Sequence, residues 1–426
     1  MTLFRRLKNH PDTIGVAVTG AGLIGRGTVR QVDLTPNMTT RLIVNRTPER
    51  GVDAFVHAGR DRADIVVSDD CAVLQAAIDA NRPAVTSNVD ALASCNGIDA
   101  VVEVTGAVAY GAEIALRAIE GGCHVIMMNA ETDATVGNAL KVRADAANVV
   151  YTNSDGDQPG VLQRLIDYVD GLGFDIVAAM NCKGFMDIHA TPDTIRPWAE
   201  KQNTSLAMTT AFTDGTKMNI ENAVLANATG LLPDVRGMHG VTSTMDTAVD
   251  DCVAVFQSRG IVDYTLGGDF KGGVFVLGYG DDPVMVQPYM QYLKMGAGPF
   301  YMFYRPYHLC HFETPITIAE AVLDHTPTIA PLSKRLTEVV TIAKHDLAPG
   351  DVLDGIGGYT CYGEIDTAEN ARGLMPIGLA HGVRVTRAIP RDTPIPLDAV
   401  DLDEDSRLVQ LWREQLSDAT APSAVR

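Results

Sequence analysis

Six consecutive residues offer the first chemistry in this chain. Gly20-Ala21-Gly22-Leu23-Ile24-Gly25 follows the apolar run Val16-Ala17-Val18-Thr19. In a G-x-G-x-x-G turn the first glycine permits the tight bend and the second lets backbone approach a pyrophosphate. The third lets the next helix pack closely on the strand. The helix that follows offers unpaired N–H groups and the positive end of its dipole to phosphate. Asn45-Arg46 stands about twenty residues further on, where the ribose contact of this fingerprint falls. Asp or Glu there would hold a ribose 2′-hydroxyl. Asn45 carries no charge and Arg46 suits a 2′-phosphate, so the pair favours NADP over NAD.

Acid–base groups come next. Three polar loops are expected at the carboxyl ends of strands: Thr105-Gly106, Asn129-Ala130-Glu131-Thr132-Asp133, and Asn153-Ser154-Asp155-Gly156-Asp157-Gln158-Pro159. Further on lie Lys183 and the block Asp214-Gly215-Thr216-Lys217, followed four residues later by Glu221. A helix starting near Thr213 or Asp214 puts Lys217 and Glu221 on one face. The residues after Glu221 are small and mostly apolar, so this charged pair is expected to border a cavity rather than form an exposed salt bridge of little worth. Arg305 and His308 sit among four aromatics in Tyr301–Leu309, where an anion or a carbonyl is the expected contact.

The elements that must position these residues alternate. Strands are expected at Thr40–Val44, Ala63–Val67, Asp99–Gly106, His124–Met128 and Val149–Tyr151. Helices are expected at Arg26–Asp33, Ala72–Ala80 and Ala109–Gly121. Such alternation makes an α/β fold, a Rossmann-type doubly wound parallel sheet. An α+β region follows, with a strand at Asp175–Met180, strands between Ser258 and Tyr279 and a helix at Ile316–Val322. From Ile342 the chain becomes short strands and turns, a compact β-rich domain of roughly sixty residues. An acidic helix over Asp401–Leu416 closes it, and residues 417–426 are expected to be disordered.

Bulk properties narrow the classes. The chain has 426 residues, 46% hydrophobic and 20% charged, room for two or three cored domains. A net charge of −19 repels nucleic acid, and no apolar run reaches the ~20 residues of a membrane span. The first residues lack the apolar core of a signal peptide, and a cytoplasmic location is the default expectation. Seven scattered cysteines without a C-x-x-C pair argue against a disulfide framework or zinc site; most should be buried fillers.

On these residues the chain resembles the homoserine dehydrogenase-like oxidoreductases that carry a C-terminal SAF domain. Gly20-Ala21-Gly22 and Val101–Gly106 resemble the nucleotide domain. Gly156–Pro159, Asp214–Lys217, Ala226–Gly230 and Tyr304–Leu309 resemble the SAF-bearing group. Ala348–Asp351, Pro376–Val383 and Asp398–Val400 resemble the β-clip-like SAF part. The resemblance runs from about Ile14 to Val400 and implies domains at 1–155 (nucleotide), 156–340 (substrate and oligomerisation), 341–404 (SAF) and 405–426 (helix and tail). Within the group, the deoxyxylulose-phosphate reductoisomerase-like branch is the most specific match. The dehydrogenases have Asn-Lys after the strand ending at Met128; here Asn129 is followed by Ala130-Glu131, which argues against homoserine as substrate.

Hydride reduction of a carbonyl leaves alkoxide charge that needs a cation or proton donor. Lys183 or Lys217 fills that role, with Glu131, Asp155 and Asp214 as further catalytic acids. Asp157, Glu221, Arg305 and His308 would bind substrate, the last two by gripping phosphate. Gly20, Gly22, Leu23, Ile24, Gly25, Asn45, Arg46, Thr105, Gly106 and Asn129 form the cofactor set. The expectation is an NADPH-dependent enzyme acting on a small phosphorylated hydroxycarbonyl compound, possible with Mg or Mn, and a homo-oligomer (dimer or tetramer). The alternatives are a dehydrogenase of a sugar acid, polyol or homoserine-like compound, and a catalytically silent NADP-binding scaffold.

Overall fold

The computed structural model describes residues 3–202, 204–270 and 272–418; the tail expectation for residues 419–426 lies outside them. The chain divides into two compact units. The first combines Met1–Asp157 with Leu309–Ser333, and the second Gln158–His308 with Lys334–Arg426.

The first unit is built on seven strands: β1 (Ile14–Thr19), β2 (Met38–Val44), β3 (Val66–Val67), β4 (Ala84–Thr86), β5 (Ala100–Glu103), β6 (His124–Met127) and β7 (Tyr151–Asn153). All pair in parallel, in the order β3-β4-β2-β1-β5-β6-β7. β1 is buried along its whole length, as a parallel strand covered on both faces must be. The sheet grows one way from β1 through β2 and the other way through β5, so the strand order reverses between β1 and β5. Open α/β sheets bind ligands at the carboxyl ends beside such a reversal. Val16, Val18, Ile43, Val102 and Ile126 pack with Val29, Val32 and Phe55 from the flanking helices. Ile318, Ala319 and Ala321 join the same core from the Cys310–Asp324 helix, far downstream of β7 (Tyr151–Asn153).

Some strand boundaries differ from expectation. The strand expected over 63–67 keeps only Val66–Val67, because Asp61 caps a single 3-10 turn at Arg62–Asp64. The last strand runs over Tyr151–Asn153 rather than Val149–Tyr151, and at its far end Asn153 N–H donates to the Ile329 carbonyl at 2.9 Å. A helix at Ala130–Ala146 has no sequence counterpart above; buried nearly all round its first half, it lacks the apolar stripe that marks a surface helix.

The second unit holds a mixed sheet of β8 (Asp175–Lys183), β9 (Val241–Thr242), β10 (Ile261–Leu266), β11 (Val274–Tyr279) and β12 (Phe300–Arg305), ordered β12-β11-β8-β10-β9. β10 runs parallel to β8, and β11 antiparallel to both β8 and β12. In the same unit β13 (Thr337–Ala343) and β14 (Cys361–Thr367) form an antiparallel ribbon, and β15 (Arg384–Val385) pairs with β16 (Val400–Asp401). The Arg407–Asp418 helix is anchored by Trp412, whose indole N–H donates to the Glu338 carboxylate at 2.9 Å; Arg335 binds the same carboxylate. Five of the seven cysteines are buried and all are free. Among the described residues no helix is long and apolar enough to cross a membrane.

Candidate active site

In the first unit the Gly20–Gly25 turn joins β1 to the Leu23–Leu34 helix. Gly20 has φ +94°, a conformation a side chain would strain. A Cβ on Gly25 would collide with the Gly20 carbonyl oxygen, whereas one on Gly22 would meet nothing within 4 Å. Gly22 is the N-cap of the helix, and no side chain caps it. The first-turn N–H groups are left for an anion, and bare backbone faces open space. These features fit a dinucleotide pyrophosphate. Leu23 is exposed, Ile24 half-buried.

Asn45 is tied to this turn: its Oδ1 accepts from Ala21 N–H at 3.0 Å, and its Nδ2 donates to the Thr47 carbonyl at 2.6 Å. Arg46 is exposed, its guanidinium 6.0 Å from the Tyr110 ring centroid. Thr105 donates to Glu103 through both its N–H (2.9 Å) and its hydroxyl. Gly106, at φ +70°, completes that loop. Asn129 caps the Ala130–Ala146 helix, accepting from Thr132 N–H at 3.0 Å.

Glu103 was not among the expected site residues. It is fully buried at the end of β5, and desolvation pushes its carboxyl up to about 7 against the hydrogen bonds from Thr105 and Asn129. Glu131, buried in the first turn of the Ala130–Ala146 helix, adds its negative charge to that rise. A lone acid inside Val101-Val102-Glu103-Val104 was the available signal, since continuous apolar runs mark buried parallel strands. Asp133 behaves alike: burial raises it to about 6, opposed by a 2.7 Å hydrogen bond from the Tyr151 hydroxyl. Asp155 is buried, its N–H donating to Thr317 Oγ1 at 2.8 Å and its Oδ1 accepting from Gly156 N–H; Asp157 is half-buried.

The second unit gathers the lysines. Lys183 ends β8, with its amine 5.1 Å from the Phe212 ring centroid. Lys217 and Glu221, both buried, stand one turn apart on the Thr216–Thr229 helix. Asp214 ends the preceding helix, Leu206–Thr213, and Gly215 turns the chain at φ +83°. Burial lowers the Lys183 pKa, the charges of Glu221 and Asp214 raise it, and Lys217 lowers it further. Three of the expected residues thus act on the amine of a fourth. Arg305 lies elsewhere on the sheet: it pairs with Val274, which pairs with Asn181, two strands from the lysine's strand. Arg305 also stacks over Tyr307 at 5.1 Å, and His308 is half-buried beyond β12.

Two residues missed by sequence complete the second group. Asn181 shares a face of β8 with Lys183, is 1% exposed, and among the described residues neither of its side-chain polar atoms has a hydrogen-bond partner. Lys344 directly follows β13 and pairs with Asp214 at 2.8 Å, both side chains buried. A single lysine in Ala343-Lys344-His345 gives no sequence hint of that burial.

Compared with known proteins, residues 20–152 match the homoserine dehydrogenase NAD-binding domain, and residues 156–314 match the catalytic domain described as oxidoreductase DRL. No curated protein matches the chain. Among solved structures, a myo-inositol dehydrogenase from Corynebacterium glutamicum ATCC 13032 aligns at 13% identity and TM-score 0.40, over 75% of this chain and 90% of its own. A UDP-N-acetylglucosamine 3-dehydrogenase from Acidithiobacillus ferrooxidans aligns at 12% identity and TM-score 0.40, over 75% and 92%.

Proposed function

We propose that this NAD(P)-dependent oxidoreductase, homoserine dehydrogenase-like in its nucleotide unit, uses NADPH to reduce a small phosphorylated hydroxycarbonyl compound. Its most specific form is a 1-deoxy-D-xylulose 5-phosphate reductoisomerase-like activity. One observation carries this reading: within the stretch that matches the DRL catalytic domain, a half-buried amine is surrounded by two acids and a second lysine.

The first unit holds the cofactor through the Gly20–Gly25 turn, Arg46, the Thr105-Gly106 loop and Asn129. Bound nicotinamide supplies the hydride. Lys183, its ammonium destabilised by burial, donates a proton to the oxygen that gains negative charge. Lys217 adds a second positive charge to that region. Glu221 takes and returns a hydroxyl proton, as a hydroxycarbonyl rearrangement demands. Arg305 and His308 hold the phosphate. A divalent cation such as Mg or Mn, where bound, would supply Lewis-acid polarisation of the substrate carbonyl.

The test is NADPH oxidation by the full chain with 1-deoxy-D-xylulose 5-phosphate, with Mg, Mn or chelator present. Turnover to methylerythritol phosphate, abolished by Lys183→Met, is expected. Arg46→Ala should weaken NADPH about tenfold and leave NADH unchanged, a loss of about 1.4 kcal/mol. Absence of turnover under every metal condition rejects the reductoisomerase. Reduction of cofactor by a sugar acid, polyol or homoserine would then establish a dehydrogenase, and binding without any turnover a silent scaffold.

A further inference from the structure

The Lys344 ammonium has three donors and spends all three. They reach the Ala190 carbonyl at 2.7 Å, Asp214 Oδ2 at 2.8 Å and the Gly358 carbonyl at 2.9 Å. The Lys344 and Asp214 side chains are 2% and 0% exposed. The lysine's backbone is equally fixed: its N–H donates to Thr360 in continuation of the β13–β14 ladder. The other Asp214 oxygen accepts from Thr216 N–H at 2.9 Å, the first residue of the helix that bears Lys217 and Glu221.

That helix is mounted on the same ribbon. Thr216 Oγ1 accepts from Gly363 N–H at 2.9 Å, and Asn219 Oδ1 from Ile365 N–H at 2.8 Å. Asn227 Oδ1 accepts from Leu336 and Thr337 N–H at 2.8 and 2.9 Å. Thr216, Asn219 and Asn227 form one helical stripe whose side-chain oxygens accept from β13, β14 and Leu336 just before β13. Lys217 and Glu221 occupy a different one.

We infer that Lys344 is a positioning residue: it clamps Asp214, fixes the start of the Lys217–Glu221 helix, and holds the Asp214 charge away from the Lys183 amine. The C-terminal ribbon is then the mount of the acid–base group. This deepens the proposed function and rests on Lys183 being the proton donor there. The charges acting on Lys183 are Glu221, Asp214 and Lys217, and those acting around Asp214 include Lys344 and the Tyr362 phenol of β14. Burial raises Asp214, and Lys344 is the chief influence lowering it.

The experiment reads Lys183 itself. Competitive acylation of the full-length protein across pH, with the Lys183 peptide quantified by mass spectrometry, gives the titration midpoint of its amine without substrate. Failure of the substrate assignment therefore leaves this readout standing. Lys344→Met removes one positive charge and releases the Asp214 carboxylate, so the midpoint should rise by about one unit. Asp214→Asn removes the negative charge while keeping acceptors for Lys344 and Thr216, so the midpoint should fall by a similar amount. Opposed shifts support the clamp. An unchanged midpoint in a folded variant, or shifts of the same sign, overturn it. If Lys344→Met does not fold, the direction of the Asp214→Asn shift alone decides.

Discussion

Gly22 and Gly25 stand three residues apart and answer to different constraints. Gly25 is held by the protein, because a methyl there would strike the Gly20 carbonyl. Gly22 has backbone angles any residue adopts, φ −76° and ψ −162°, and open space around it. Gly25→Ala should therefore destabilise the nucleotide unit by about 1–3 kcal/mol, read as a lower thermal midpoint. Gly22→Ala should leave that midpoint in place and weaken NAD(P) binding at least tenfold by calorimetry. Both glycines were legible in the sequence because the fingerprint is local. Lys344 and Asn181 were not, since their meaning comes from groups far along the chain: Asp214 is 130 residues before Lys344.

At the scale of the element, β5 carries the most consequential residue in the nucleotide unit. Its Glu103 is raised to about 7, so between the ordinary glutamate range and 7 the folded state keeps a proton that the unfolded state has lost. Stability of the unit should then fall as pH rises through that window, by about 3 kcal/mol. Glu103→Gln keeps an acceptor for Thr105 and should flatten the fall, measured as thermal midpoint against pH. An unaltered slope in the variant would remove Glu103 as the cause. Strand existence was readable here from apolar runs, but the end of β5 was not. The sequence reading carried the strand to Gly106, while the structure ends it at Glu103, where the carboxylate folds back onto Thr105. On the Thr216–Thr229 helix the i,i+4 pair was readable, whereas the polar stripe bound to β13 and β14 needs knowledge of strands more than a hundred residues away.

Across the whole molecule, the nucleotide unit is discontinuous. Asn153 pairs with Ile329, the Cys310–Asp324 helix lends Ile318, Ala319 and Ala321 to the core, and Asp324 binds Arg6. A fragment of residues 1–157 should consequently melt broadly and bind the nicotinamide cofactor poorly. Joining residues 309–333 to it through a flexible linker should restore a cooperative melt and binding near that of the full chain, by circular dichroism and fluorescence titration. Alternating elements made the parallel sheet legible; no composition shift marks Leu309, so the return of the chain was not.

That return sets a schedule for synthesis. A ribosome adds residues at ~5–20 per second, and 176 residues separate Asp157 from Ser333. The Rossmann sheet must therefore wait roughly ten to thirty seconds without the Ile318, Ala319 and Ala321 part of its core, while the mixed sheet of the other unit emerges. During that interval the core is incomplete, and the cofactor half is finished only after much of the catalytic half has left the exit tunnel.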